Sequence, residues 1–584
     1  MKRRAPASSR PHPSARAPAR PPAPAAPIFP PRAARWLRRL ALFLLTILIW
    51  RGALGTYFGA DDAVLIDRLA RSGLAGGPWR LLDRIVLQGE WALFGAHALP
   101  YHLVQVALHG VNAALAAELG VALGLSGTAA FACGALFAAH PLSFGCVVPP
   151  SGLGTVAGLT ALLLAALAWA RGRGTPRAAL AAGALGILAT AFRETYAPGI
   201  LVLPLIGAPG AAGAAEDRRK RLADWALHVA GALAAGAALV AAALRGPLAG
   251  AAYASEPASA PAVAARYLDW LFGPYPAVPD VLSRLEGAFH PQAIALGGIV
   301  IAALAALALR GGNRAGRVGF VWLVVLTAPA LLIPRHLYLY YLYGTLAGAA
   351  LMLGAAMDLV VRAPRARRIV HVAAAALLVL WGGGAVRARE GATLGGTAFR
   401  ADPFMRQQQI ASNFVAGIRE ARLPRGAGAV LYPVTLSLSG PEDSTLLRNN
   451  PVTAASDSGR IAATLAGTPV HIRFEHRYAA TDTARYAFFY DGAGTLTPLG
   501  SGGGVLSRMA EFWAAQQAWD RVAAALPMVL ESAPGDATAW FNLTLARMHL
   551  GRAAEARAAA RRFLELEPTG RRSDWARTVA AGGS

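Results

Sequence analysis

Cysteine is almost absent from this chain. Of 584 residues only Cys133 and Cys146 carry a thiol, both in or beside one apolar run, so no disulfide framework is available. Acidic residues are few as well. Thirty-two Asp and Glu stand against 56 Lys and Arg, a net charge of +24, and charged residues make up 15% of the chain. That balance could signal nucleic acid, but the basic residues are nearly all Arg and sit in the N-terminal tail and in short loops between apolar runs, where topology signals belong. A nucleic-acid partner is therefore not expected. A cleaved signal peptide is not expected either, because the first apolar run starts late and no small-residue cleavage site follows it clearly.

What the chain has is hydrocarbon. Hydrophobic residues account for 55% of it, and mean hydropathy is +0.42. Runs rich in Ala, Leu and Val recur between Arg clusters, which predicts an all-α polytopic membrane bundle. Residues 1–36 are Pro-, Ala- and Arg-rich without hydrophobic period and read as a disordered basic cytoplasmic tail. A membrane domain is predicted over 37–386, with about 11 spans: 37–54, 98–122, 127–146, 148–170, 176–193, 195–210, 224–245, 291–310, 317–334, 337–361 and 368–386. Two of these are short and share a break at "FRETYAP".

With the tail inside, "RGRGTPR", "EDRRKRL", "RGGNRAGR" and "VRAPRARR" all become cytoplasmic loops, as the positive-inside rule requires. The longer loops 55–97 and 246–290 mix signs and fall outside, on the periplasmic side of a bacterial inner membrane. The odd span count puts everything after residue 386 outside too. Region 387–504 holds strand-like pieces, "GAVLYPVT", "VHIRFEH" and "ARYAFFYDGAGTLTPL", and reads as a small α/β module. Its terminal "GSGGG" reads as a flexible joint. Over 505–584, Trp540, Leu543, Gly551, Ala556, Leu564 and Pro568 have the spacing of a tetratricopeptide repeat, and Pro534 and Leu530 echo Pro568 and Leu564 one repeat earlier. Two repeats are too few to stand alone, so they are expected to lean on the neighbouring module or on a periplasmic partner.

Polar residues inside apolar runs are costly, so each asks for a reason. In "LPYHLVQVALHGVNAAL", His102, Gln105, His109 and Asn112 are 3, 4 and 3 apart and share one helical face. The stripe either hydrogen-bonds between helices, at about 1 kcal/mol or less per bond, or lines a wet cavity. The two histidines lie about 10.5 Å apart along the axis, too far to share a metal ion by themselves. His140, before Pro141, ends a span at the outer face. Arg193 and Glu194 stand at the break between two apolar half-spans, and neighbours on a helix point about 100° apart, so each is expected to face a different partner. Arg335 and His336 precede a run of tyrosines, either as an aromatic belt with a snorkelling cation or as a cation facing a lipid phosphate. Asp61 and Asp62, just outside the first span, are either a solvated helix cap or working carboxylates at the water–lipid boundary, where desolvation raises a carboxyl toward a useful base.

The order of these pieces resembles the C-type membrane glycosyltransferases, in particular the transmembrane O-mannosyltransferase-like proteins that carry tetratricopeptide repeats. An acidic pair opens the first outer loop, then come "YHLVQVALHGVNAAL", "ALFAAHPL", a basic residue with Glu194, "RYLDWLFGPYPAVPD" and "PRHLYLYYLYG", and repeats close the chain. The resemblance covers residues 40 to about 360 and 506–568. It implies transfer of a sugar from a polyprenyl-phosphate donor to a protein or glycan hydroxyl on the outer side. Asp61 or Asp62 would be the general base, with Glu194 a further catalytic carboxylate. Arg335, Arg193 and His336 would bind the lipid phosphate, while His102, Gln105, His109, Asn112 and His140 would shape the cavity. The second carboxylate of the pair would hold the acceptor or a divalent metal. The chain departs from such relatives at "GGPWRLLDR", where "YRPL" is frequent, at "CVVPPSGLGT" after the His-Pro, and at Arg193, where Lys is usual. Two other classes share these features: a non-catalytic membrane-anchored scaffold that presents the repeats, and a transporter or flippase for a lipid-linked glycan.

Overall fold

The computed structural model describes residues 31–73, 80–172, 176–207, 256–272, 291–310, 313–360, 364–393, 398–436, 460–467, 470–475 and 485–583, with a few isolated residues besides. Most of the expected tail, the predicted span 224–245 and most of the predicted loop 246–290 lie outside them. The last six residues of the expected tail do not belong to it: α1 starts at Pro31 and runs to Trp50.

Among the described residues five helical stretches are long and apolar enough to cross a membrane: Ala98–Ala122, Pro150–Arg171, Arg314–Leu332, Leu339–Leu359 and Arg368–Gly391. A sixth is a pair, Gly127–Ala139 and Pro141–Val147, bent by 45°. The bend has a local cause, since Pro141 has no N–H with which to continue the ladder. The chain is thus a multi-pass membrane protein. Shorter apolar helices cover Arg177–Phe192 and Ile294–Ala306. The predicted span 195–210 is no α-helix at its start. It opens as a 3-10 helix, Glu194–Val202, because Pro198 interrupts it, and only Leu203–Gly207 is α-helical.

After α1 come α2 (Ala60–Ser72) and α3 (Leu81–Phe94) in the first outer loop, then α4 (Ala98–Ala122), α5 (Gly127–Ala139), the short α6 (Phe144–Val147), α7 (Leu153–Arg171) and α8 (Pro176–Phe192). In lipid no hydrophobic force separates helix from solvent, so close backbone approach carries the packing. Gly134 of α5 illustrates it: a methyl there would meet Leu42 of α1 at 2.6 Å and the Ala113 carbonyl of α4 at 2.7 Å. Helices Arg314–Thr327 and Tyr343–Val360 cross where Gly319 and Gly348 each face the other's carbonyl. One buried cluster, rich in Ala and Leu, joins α1, α4, α5, α7, α8 and these two helices.

The C-terminal region is built on the helix Pro403–Glu420 and a four-stranded sheet of order β2-β1-β3-β4. The strands are β1 (Gly428–Pro433), β2 (His471–Phe474), β3 (Tyr486–Tyr490) and β4 (Leu496–Ser501). β1 pairs parallel with β2 and β3, and β3–β4 is an antiparallel hairpin. The expected flexible joint is not one. Gly502–Gly504 is a single 3-10 turn that leads from β4 into the helix Val505–Ala515. Val430, Tyr432 and Phe489 of the sheet share one core with Met509, Trp513, Val522 and Leu526. Trp513 donates its indole N–H to the Val434 carbonyl at 3.0 Å. The closing helices from Val505–Ala515 to Ala553–Leu566 therefore continue the module's core, and the last, Arg571–Ala580, packs on Ala556, Ala560 and Phe563 in a cluster of its own.

A buried ion pair joins this region to the bundle. Arg389, near the end of the helix Pro364–Gly391, donates to Asp402 through Nε (3.1 Å) and Nη2 (2.5 Å), and neither side chain is exposed. Its guanidinium lies 3.8 Å from the ring centroid of Phe144. Asp402 also accepts from the backbone N–H groups of Phe404 and Met405, capping the helix Pro403–Glu420. Removing one partner strands the other charge in a dry site, at about 3–5 kcal/mol. Asp402→Ala should lower the unfolding midpoint of the detergent-solubilised protein and open the segment around residue 400 to protease. The paired change Arg389→Met with Asp402→Leu should cost much less. Equal losses in both would contradict a desolvation origin.

Candidate functional site

The first outer loop is folded down onto the bundle. Phe58, Ile66, Leu69 and Leu87 pack with Tyr101 and Leu153 on one side and with Val415 and Leu465 of the C-terminal module on the other. Thr464 donates to Asp67 at 2.7 Å, which ties α2 to that module. Two carboxylates of the loop then dock on a single turn at the start of α7. Asp62 accepts from the Ser151 backbone N–H at 2.7 Å, and Asp83 accepts from that of Gly154. Residues three apart on a helical turn are about 5–6 Å apart, so the tip of α2 and the start of α3 meet the membrane domain at one place.

The adjacent aspartates differ sharply. Asp62 is 2% exposed, and its second oxygen accepts from Gly59 N at 2.8 Å. Both its oxygens are thus engaged by backbone donors. Burial still outweighs those bonds and pushes its carboxyl up to about 6. Asp61 keeps an open face, yet it sits low enough among protein atoms that burial raises its carboxyl as well. Asp61 can reach a ligand, whereas Asp62 holds the loop in place.

A second group gathers at the break after α8. Arg193 leaves the helix in extended backbone, φ −149°, and is 3% exposed. Its guanidinium lies over Tyr340 at 4.5 Å. Arg80, held in the left-handed region at φ 46°, starts α3 and reaches to 3.7 Å from Glu194. Both arginines act on Asp83, whose carboxyl burial nevertheless pushes up to about 6. Glu90, about two turns further along the same face of α3, is raised to about 7 by burial and then by Asp83. His336 joins from the tyrosine segment: its Nδ1 is 2.9 Å from the Tyr341 hydroxyl, its ring packs against Tyr338, and burial with the Arg193 charge lowers it to about 4. Tyr338 and Tyr340 stack at 5.1 Å. Three polar atoms inside this group, Arg193 Nε, Asp83 Oδ1 and Glu90 Oε1, are buried without a hydrogen-bond partner among the described residues, and such atoms are costly unless something else satisfies them.

Every residue of the polar stripe of α4 hydrogen-bonds to a neighbouring segment, although His102 Nδ1 and Gln105 Oε1 have no partner among the described residues. Gln105 donates to the carbonyls of Cys146 and Pro149, both at 2.9 Å. His109 lies 2.8 Å from the Tyr343 hydroxyl, and Asn112 donates to Val156 O and accepts from Thr160. His102 Nε2 is 3.1 Å from Thr56 Oγ1, at the root of the outer loop. His140 contacts the Leu271 carbonyl and accepts from Leu142 N. Arg335 turns instead to Glu256: it is 59% exposed and pairs with that carboxylate at 2.7 Å.

Sequence reasoning missed Arg80, Asp83 and Glu90. The first two lie in "GGPWRLLDR", and their three-residue spacing on one helical face was the available signal. For a metal, the residues present do not fit: Asp62 has both oxygens occupied, and among the described residues no group of three or more His, Cys, Asp or Glu could hold an ion.

No protein-family model and no curated protein matches the chain. Among solved structures it is similar to the oligosaccharyltransferase of Archaeoglobus fulgidus. That enzyme has been solved in complex with Zn and sulfate, in the apo form, and as AglB with an inhibitory peptide and a dolichol-phosphate. Identity is 10% and the TM-score 0.42 in each case, over 75%, 75% and 76% of this chain. The chain spans only 62–64% of the length of those proteins.

Gly154 is where the site is tightest. A methyl there would lie 2.9 Å from both Asp83 Cγ and the Phe192 carbonyl oxygen, wedging α3 away from the α8 break. Overpacking of this kind costs about 1–3 kcal/mol. Gly154→Ala should lower the unfolding midpoint accordingly. Gly89→Ala, with nothing within 4 Å, should be neutral or stabilising by up to about 1 kcal/mol. Indistinguishable midpoints would show that Asp83 does not depend on this contact.

Proposed function

We propose that the chain is a membrane glycosyltransferase that moves a sugar from a polyprenyl-phosphate donor to a hydroxyl of a protein or glycan on the outer, periplasmic side of a bacterial inner membrane. The observation that carries this reading is the buried group at the α8 break. Two guanidinium groups, one with an unpartnered buried Nε, stand beside an aromatic wall and beneath a folded outer loop that presents an accessible carboxylate. A sugar phosphodiester is an anion attached to an apolar tail, which is what such a place accommodates.

In the reaction, the acceptor O–H gives its proton to Asp61 while its oxygen attacks the anomeric carbon. The bond from that carbon to the phosphate oxygen breaks, its electron pair stays on the phosphate, and Arg193 with Arg80 stabilises the growing charge. Direct displacement inverts the anomeric centre. Asp62 positions Asp61 through its ties to Gly59 and Ser151, Glu194 orients Arg80, and His336 with the tyrosines bounds the donor. Arg335, exposed and paired with Glu256, meets the headgroup region outside. No step needs a metal. The buried bonds of His102, Gln105, His109, Asn112 and His140 fix the bundle around this place. The finer architecture belongs to the same proposal: about 11 crossings, with the N-terminus cytoplasmic and tetratricopeptide-like hairpins that present the periplasmic acceptor or partner.

Asp61→Asn should lower transfer of sugar from a polyprenyl-phosphate donor by about 10²–10⁴-fold, the usual contribution of a general base, with donor binding unchanged. Because a raised carboxyl is protonated at higher pH than a free one, the wild-type rate should fall on acidification already above the ordinary aspartate range, and the variant's residual rate should lack that limb. Unchanged transfer in Asp61→Asn would favour the scaffold. Intact transfer with impaired movement of a lipid-linked glycan across the bilayer would favour the flippase.

A further inference from the structure

At the far end of α4 the bundle carries a second concentration of charge that the proposed reaction does not use. Glu118, buried at 3% exposure, is met by three arginines: Arg38 at 2.8 Å, Arg39 at 2.9 Å and Arg171 at 2.6 Å. Glu118 lies sixteen residues along α4 from His102, about 24 Å, so this group sits at the opposite end of the bundle from the outer loop. Three positive charges and one negative leave a net of +2. The donors also outnumber the acceptors. Each guanidinium has five N–H groups, and a carboxylate offers about four lone-pair sites in all. The Nε atoms of Arg38 and Arg39 are buried without a partner among the described residues.

A groove of about 670 Å³ opens beside this group between α1, α4, α7 and α8. Its floor is Ala, Val and Leu, and its charged rim is Arg39 and Arg171 with Glu118. Trp36, at the same rim, lies under Arg39 at 4.8 Å. Leu40 and Leu164 line it and are 53% and 39% exposed, so the apolar side is open to the surroundings of the bundle. The volume lies within the range of about 300–1,000 Å³ that encloses a drug-sized ligand. In a membrane such a groove faces acyl chains, and its rim faces headgroups.

We infer that this groove is a binding site for one anionic glycerophospholipid, its acyl chain along Leu40, Leu115 and Leu164 and its phosphate on Arg39 and Arg171. Charge complementarity selects the occupant: a zwitterionic headgroup brings no net charge to balance the excess of +2. The site is independent of glycosyl transfer and rests only on the chain being a membrane protein.

The test is native mass spectrometry of the full-length protein in detergent, titrated with phosphatidylglycerol or phosphatidylcholine. The wild type should hold phosphatidylglycerol about tenfold or more tightly than phosphatidylcholine, as two uncompensated basic charges near a headgroup require. Arg39→Gln with Arg171→Gln should bring the two lipids to within about twofold. Leu164→Trp, which fills the groove with an apolar group and leaves every arginine in place, should lose phosphatidylglycerol as well. It decides the matter if the arginine variant does not fold. Equal binding of the two lipids by the wild type would overturn the inference, showing that the arginines serve Glu118 alone. So would phosphatidylglycerol retained by Leu164→Trp, which would place the lipid on the general basic surface.

Discussion

A guanidinium removed from water costs several kcal/mol unless carboxylates, hydrogen bonds or an aromatic face replace its hydration. Arg193 and Arg389 both meet this constraint, and they meet it differently. Arg389 is held by two hydrogen bonds to Asp402 with Phe144 over its guanidinium, and the result is a fixed joint between bundle and C-terminal module. Arg193 has Tyr340 beneath it and Asp83 and Glu194 nearby, yet its Nε finds no partner. Much of the outer structure follows from how Arg193 is surrounded. α3 must bring Asp83 inward, α2 must anchor through Asp62, and the module must press the loop down through Asp67, Val415 and Leu465.

That arrangement makes the outer loop a structural layer between two domains. Its lower surface touches the turn at Ser151–Gly154, and its upper surface touches the helix Arg460–Ala466. The sheet and closing helices share a core, so force on the terminal helices is transmitted to the sheet without a slack joint.

The parts of this molecule written in local composition were legible. The Ala- and Leu-rich run at 98–122 is a helix with those bounds, "GAVLYPVT" and "ARYAFFYDGAGTLTPL" contain β1 and the β3–β4 hairpin, and the break at "FRETYAP" is real because Pro198 has no N–H to give. What depends on distant partners was not legible. Asp61 and Asp62 are neighbours, so spacing could not separate them, and the Ser151 amide that Asp62 alone engages is 89 residues away. Arg389 and Asp402, thirteen residues apart, carry no local signal of their pairing, which only the packing of the two regions makes. Arg80 and Asp83 lay in a stretch noted chiefly for departing from a familiar pattern, although their spacing placed them on one face.

What satisfies Arg193 decides whether this place binds a lipid phosphate. Titration of the purified protein with a short-chain polyprenyl phosphate measures this directly. Binding should weaken by about tenfold or more in Arg193→Gln, the loss of one charge-assisted contact. It should recover in part in Arg193→Lys and stay unchanged in Asp61→Asn. Equal affinity in the wild type and Arg193→Gln would contradict this role of Arg193, because the buried cation would then serve only the fold.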